Sequence, residues 1–109
     1  IDAIGQKISF RLPYNMTLNA GSAGITGSLV TAGTGAALLT VDINESGSTI
    51  LSTKLTFDAT ETTTTTAATP VVISDLSLAA DSIITIDVDT LDTGGVAAGL
   101  KISLIGSVT

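Results

Sequence analysis

The residues best suited to chemistry are three carboxylates in the last quarter of the chain, Asp87, Asp89 and Asp92, in a DxDxxD spacing. A hard cation such as Ca²⁺ needs several oxygen ligands at once, and this spacing supplies three carboxylates. On a strand, however, Asp87 and Asp89 would point to the same face about 7 Å apart, and no EF-hand glycine or terminal Glu completes a loop. We therefore expect a solvated strand face that binds no metal and no other cofactor.

Other kinds of catalysis lack their usual groups. The chain has no His and no Cys, so the common general base near neutral pH and the thiolate nucleophile are both absent. It contains neither a GxSxG word nor a P-loop. A hydrolase with paired carboxylates would need one buried carboxyl beside an ionised one, whereas the acidic residues here mostly alternate with apolar ones. We expect that the protein is not an enzyme.

The charge balance excludes two classes of partner. Ten acidic residues stand against four basic ones, a net charge of −6, and Lys7, Arg11, Lys54 and Lys101 are scattered singly. Phosphate neutralisation needs clustered basic residues, so we expect no nucleic-acid partner. No run of about 18 apolar residues is present, so we expect no membrane insertion. Because the first residue is Ile1 and not Met, we also expect a processed or partial chain.

The elements that must position these groups are strands, and the clearest is a hairpin from Val41 to Asp58. Apolar and polar residues alternate on both sides of a Glu-Ser-Gly-Ser turn, which is typical of a half-buried antiparallel sheet. We predict that Ile43, Leu51, Leu55 and Phe57 face inward and form the centre of the core.

Three further segments alternate in the same way: 6–12, 82–90 and 100–105. The predicted inward residues are Ile8, Phe10, Leu12, Ile84, Ile86, Val88, Leu100, Ile102 and Leu104. Aromatic residues make up only 3% of the chain, so Phe10 and Phe57 are expected to be the large pieces of an aliphatic core. With 109 residues, the chain fits a single domain, residues 1–109. The spacing predicts an all-β fold, an antiparallel two-sheet β-sandwich that is jelly-roll-like, with about seven or eight strands.

Two low-complexity segments connect these strands. Gly21 to Gly35 holds five Gly around the short stretch Ser28 to Thr31, which favours turns, a weak strand or close contact between backbones. The Thr62 to Thr66 run could form an edge ladder against a neighbouring subunit or a strip that faces a glycan. We interpret it as an exposed β-prone loop.

Short sequence motifs along nearly the whole chain resemble those of a small β-sandwich module of tailed-bacteriophage structural proteins. They are Phe10 to Met16, Asp42 to Glu45, Ile50 to Thr56, Ala67 to Pro70, Ile73 to Asp75, Ile84 to Asp89, Gly99 to Ile102 and Leu104 to Gly106. The Gly21 to Gly35 segment has no counterpart among them. The resemblance implies a virion structural protein on the exterior of the phage particle, either a tail fibre or spike knob or a capsid decoration (head fibre) domain. It also implies a homotrimer in contact with other virion proteins, and no catalytic residues.

Host attachment is the second role that the resemblance suggests, with a host-surface glycan as the partner. A different class remains open, namely a carbohydrate-binding or adhesin-type β-sandwich module. Such modules usually stack sugars on exposed aromatic rings. Tyr14 is the only Tyr and Trp is absent, which disfavours an aromatic platform but leaves recognition by polar loops open.

The expected trimer interface follows from outward apolar positions. Ile83 and Ile105 share strand faces with polar residues, and burying them around a three-fold axis would add core and protect strand edges. The loop residues expected to stay free and face a partner are Asp92, Thr93, Gly94 and Gly95.

Overall fold

The computed structural model describes all 109 residues, and it consists of antiparallel strands joined by turns. The only helical segment is one 3-10 turn, Gly21–Ala23. The strands are β1 Gly5–Arg11, β2 Met16–Leu18, β3 Ile25–Ser28, β4 Leu39–Glu45, β5 Ser48–Thr49, β6 Leu51–Thr53, β7 Leu55–Phe57, β8 Val72–Ile73, β9 Ser77–Leu78, β10 Ile83–Thr90, β11 Lys101–Leu104 and β12 Gly106–Val108. The all-β, antiparallel, sandwich-like prediction is confirmed. There are twelve strands and not seven or eight, because extended runs are interrupted where the chain bulges or changes its pairing partner.

The main sheet has β10 at its centre. β1 pairs with one side of β10 and β4 with the other, while β5 and β7 pair with the two ends of β4. Ile84, Ile86 and Val88 of β10 are buried, as their alternation predicts, and the positions between them form the outer face of the sheet.

The predicted hairpin forms, but its second half is split. Ser46 and Gly47 have φ values of 48° and 87°, the positive values that a two-residue hairpin turn between right-twisted strands requires. After β5 the chain leaves β4, pairs β6 with β8, and then returns β7 to β4. The predicted inward residues are all buried, as expected: Ile43, Leu51, Leu55 and Phe57.

A second layer covers the inner face of β4 and β10. β2 and β3 are one interrupted strand, since both pair with the run formed by β11 and β12. Ile105 joins the two halves, because its N–H donates to the Gly24 carbonyl and its own carbonyl accepts from Asn19. β9 pairs with the other side of β2. One hydrophobic core unites the buried side chains, and Leu100, Ile102 and Leu104 pack against it as predicted.

β1 departs from the prediction. Every residue of this strand is exposed; Ile8 retains 44% and Phe10 39% of its accessible surface. The expectation that these two side chains belong to the core is wrong, whereas Leu12 just beyond the strand is buried. Ile8 and Phe10 lie beside Ile86 and Ile84 on the inward face. They stay exposed because the second layer does not extend over β1.

The glycine-rich segment contains a strand, but at a different place. β3 spans Ile25–Ser28, not the predicted Ser28 to Thr31, and its Ile25 is fully buried. Gly27 is needed for close packing, since a Cβ there would lie 2.8 Å from the Cζ atom of Phe57. This contact is with a side chain; the close contact between backbones considered for Gly21 to Gly35 occurs at Gly24, where a Cβ would meet the Asn19 carbonyl oxygen.

The threonine run is partly structural. Thr63 bridges to Ser28, and the Gly27 N–H donates to the Oγ1 atom of Thr64 at 2.9 Å. Thr64 is buried, so the interpretation of an exposed loop is wrong at this residue. The physical reason is that the run closes the side of β3 that faces away from β11.

Candidate functional site

The three carboxylates found in the sequence occupy separate environments. Asp87 and Asp89 lie on the outer face of β10, and Asp92 lies in the loop that follows it. Lys54 Nζ is 2.5 Å from Asp89 Oδ2, and Asn44 Nδ2 donates to Asp87 Oδ2 at 3.1 Å. Each carboxylate thus has its own partner, and the structure contains no group of three such side chains arranged to hold a metal ion.

The folded protein disfavours the ionised form of Asp87. Burial raises the pKa of Asp87, and the neighbouring negative charges of Asp89 and Asp42 raise it further. Its Oδ1 atom is buried without a hydrogen-bond partner. Loss of hydration and like-charge repulsion both disfavour the ionised form. The outer face of β10 is therefore less solvated at Asp87 than strand alternation predicts.

Asp92 differs from Asp87 in the direction of its pKa shift, although its Oδ1 atom is likewise buried without a hydrogen-bond partner. Its side chain is buried, with 5% of the residue's surface exposed. Its Oδ2 atom accepts from the backbone N–H groups of Thr34 at 3.0 Å and Val96 at 3.2 Å. Backbone hydrogen bonds, first that of Thr34, lower the pKa of Asp92, although desolvation acts in the other direction. The prediction that Asp92 faces a partner is wrong, because its carboxylate holds the backbone of two loops together.

The rest of this loop is exposed, as expected, but anchored. Thr93, Gly94 and Gly95 lie at the surface. Thr93 Oγ1 accepts from the Ala37 N–H at 2.8 Å, and the Gly94 N–H donates to the Thr34 carbonyl at 3.0 Å. An Asp at the start of an Asp-Thr-Gly-Gly turn is a known signal for a side chain that bonds nearby backbone, which accounts for the bond to Val96 but not for the bond to the distant Thr34.

The two residues predicted to form the trimer interface are both surface residues. Ile83 lies on the outer face of the main sheet opposite Arg11, and Ile105 lies between β11 and β12 in the second layer. Both are exposed. They belong to different layers, so the structure does not place them on one sheet face.

Sequence reasoning missed one exposed apolar surface, the β1 patch, defined as Ile8 and Phe10. Both side chains project from the inner face of the main sheet, where an apolar residue would ordinarily be covered. Alternation correctly predicts their face, but it contains no information about how far the opposing layer extends. The nearby Tyr14 is also exposed.

The patch lies on a free strand edge. β1 pairs with β10 alone, so its other edge carries unpaired backbone groups. The first half of the edge has two protective features, a bulge between Gln6 and Ile8 and the charge of Lys7 within it. The second half, from Ile8 to Arg11, pairs regularly and has neither feature except the terminal Arg11. An apolar and regular edge of this kind readily pairs with another strand.

The structure contains no pocket of ligand size. None of its helical segments has the length and apolar character needed to cross a membrane. No protein-family model, no curated protein and no solved structure matches the chain. The resemblance to phage structural modules therefore remains a prediction from the sequence words.

Proposed function

We propose that this protein is a non-enzymatic structural component of the exterior of a tailed-phage particle, a trimeric fibre or spike knob or a capsid decoration domain. The observation that carries the proposal is the β1 patch on a free strand edge. Apolar side chains on an inward sheet face gain stability only when something covers them. Assembly with other chains supplies that cover.

The β1 patch favours assembly over ligand binding for two reasons. It is a convex strand edge and not a concave site, whereas small-molecule sites are clefts that enclose most of the ligand. It also couples exposed apolar side chains to unpaired backbone groups, a combination that protein strands satisfy and sugars do not. The words shared with virion modules include Phe10 itself, which links the sequence resemblance to the same surface.

A carbohydrate-binding or adhesin role is the second candidate, and one observation favours it. Tyr14 and Phe10 are both exposed aromatic residues near the end of β1 and the turn that follows. Exposed rings can stack on sugars. A glycan array probed with the wild-type chain and with Tyr14→Ala tests this role; binding that is lost in the variant would support it.

The proposed virion location is tested by immunogold labelling. An antiserum raised against the chain should decorate intact particles of the phage that encodes it, and serum absorbed with the purified chain should not. Label confined to the soluble fraction of the lysed host would contradict the proposal. Sedimentation equilibrium adds the assembly state, for which a homotrimer predicts about 32 kDa, three times the 10.8 kDa of one chain.

A further inference from the structure

One side of the sandwich is bounded by two free strand edges. β1 ends the main sheet, and the run of β11 and β12 ends the second layer. β11 pairs only with β3 and β12 only with β2, so the opposite edge of this run has no partner strand.

The two free edges lie on the same side of the molecule. Thr63, which follows β7 in the chain, bridges Ser28 on the side of β3 that faces away from β11. β7 lies across β4 from β10, while β1 lies across β10 from β4, so β7 and β1 mark opposite ends of the main sheet. β11 and β12 therefore flank the β1 end. We call this the open side, and the end at β7 with the following residues Asp58 and Glu61 the closed side.

The open and closed sides carry opposite charge. Three of the four basic residues, Lys7, Arg11 and Lys101, lie on the open side, and β1, β11 and β12 contain no acidic residue. Arg11 is 3.6 Å from Asp81, but Lys7 and Lys101 form no ion pair within the chain. Asp58 and Glu61 on the closed side also form none. The unpaired charges of the two sides are complementary.

The complementary charges also lie at the same level of the sandwich. Lys101 pairs with Ser28 on one side of β3, and Thr63, two residues after Glu61, bridges Ser28 on the other. If a second copy lies beside the first without a shift along the strands, Glu61 on the closed side of the second copy comes next to Lys101 on the open side of the first. This contact requires neither a shift of one copy along the strands nor a change in the fold.

From this arrangement we infer that the open side docks onto the closed side of a second copy of the chain. The contact covers the β1 patch and brings Lys7 and Lys101 near Asp58 and Glu61. It is heterologous, because two different surfaces meet, and a heterologous contact that repeats around an axis closes into a ring. The inference rests on the proposed function only in that both require self-assembly, and it names the interface that the proposal leaves open.

Charge reversal at Lys7 and Lys101 tests this interface, because both side chains are exposed and neither forms an ion pair within the chain. The acidic partners Asp58 and Glu61 accept hydrogen bonds from the Ala68 N–H and the Thr66 Oγ1 atom, so the fold of any variant at these two positions is checked first. Lys7 and Lys101 are exposed, so Lys7→Glu with Lys101→Glu should leave the circular dichroism spectrum unchanged. Sedimentation velocity at low salt should show association at least about tenfold weaker, because like charges then face each other. Adding Asp58→Lys and Glu61→Lys to the same chain restores opposite charges and should restore the wild-type assembly. Lys7→Arg with Lys101→Arg is the matched control, since it changes the same two exposed positions but keeps their charge.

The outcomes separate the inference from the proposed function. Weakened assembly in the reversed variant, rescue in the fourfold variant and an unchanged control support the interface. A wild-type chain that assembles while the reversed variant assembles equally well overturns the interface and leaves the virion proposal standing. A wild-type chain that stays monomeric at all concentrations overturns the interface too, while immunogold labelling of particles decides the virion location independently. If the fourfold variant fails to fold, Phe10→Ser provides the second test, and unchanged assembly in that variant also contradicts the inference.

Discussion

The two neighbours of β10 share a length, a sequence pattern and a pairing partner, but they differ in burial. β4 and β1 each have seven residues, alternate apolar and polar side chains, and pair with the same strand. β4 buries its apolar positions completely, whereas β1 buries none of its residues. Alternation therefore assigns a side chain to a face, while coverage by another layer determines whether that face is core.

A row of three isoleucines shows the same contrast in burial between β4 and β1. Ile43 in β4, Ile86 in β10 and Ile8 in β1 lie side by side on the inner face. Ile43 and Ile86 are buried and Ile8 is not. One residue type therefore samples the covered interior and the uncovered edge of a single sheet.

The largest expected difference is between the only two phenylalanines. Phe57→Ala should lower the unfolding free energy by about 3–5 kcal/mol, because Phe57 is buried and its removal leaves a cavity. Phe10→Ala should cost the monomer only about 1 kcal/mol, since water already reaches the ring. Urea unfolding at low protein concentration measures both. Equal losses would mean that β1 is covered within the monomer.

The next largest difference in unfolding free energy is expected between two residues of the isoleucine row, where the same substitution is made at both positions. Ile43→Ala should cost about 2–5 kcal/mol, and Ile8→Ala less than about 1 kcal/mol. Repeating the denaturation at high concentration sharpens the comparison, because Ile8→Ala should then lose more if assembly covers the residue. A concentration-independent result at position 8 would count against the proposed cover.

Asp92 at the end of β10 predicts a pH-dependent loss. Its folded-state pKa is lowered, so its stabilisation is present above the unfolded pKa of about 3.9 and disappears as pH falls through the folded value. Asp92→Asn should lower the thermal midpoint at pH 7, because a neutral amide oxygen accepts from the N–H groups of Thr34 and Val96 more weakly than a carboxylate does. The gap to wild type should close in acid. Identical midpoints at pH 7 would remove Asp92 as the anchor of the loop.

Asp87 predicts the smallest effect and the opposite sign. Its folded-state pKa is raised. The free energy of unfolding is therefore highest below the unfolded pKa of about 3.9, where Asp87 is protonated, and it falls as pH rises through the folded value. Asp87→Asn should stabilise the chain at pH 7 by up to about 0.5 kcal/mol and have little effect at pH 3. The amide oxygen can still accept from Asn44. Destabilisation at pH 7 would show that the carboxylate is favourable where it lies.

Much of the fold was predictable, and the missing parts have a common physical cause. The register of β10 and the inward residues of the hairpin follow from period-2 alternation, which is local. The exposure of Phe10, the burial of Thr64 and the position of β3 depend on which distant segments meet. For the candidate site, the sequence identified the exposed loop around Gly94 but not the β1 patch. That surface results from where the second layer ends, and no local pattern encodes it.

Hydrogen–deuterium exchange at two protein concentrations tests the central claim that β4 is buried in the monomer and β1 only in the assembly. Peptides that cover β1 and β4 are compared at low-micromolar and submillimolar protein. We predict that protection of the segment from Ile8 to Arg11 rises with concentration, because a second chain covers this edge, while protection of β4 stays constant. Exchange of β1 that is the same at both concentrations, in a chain that does assemble, would contradict the account.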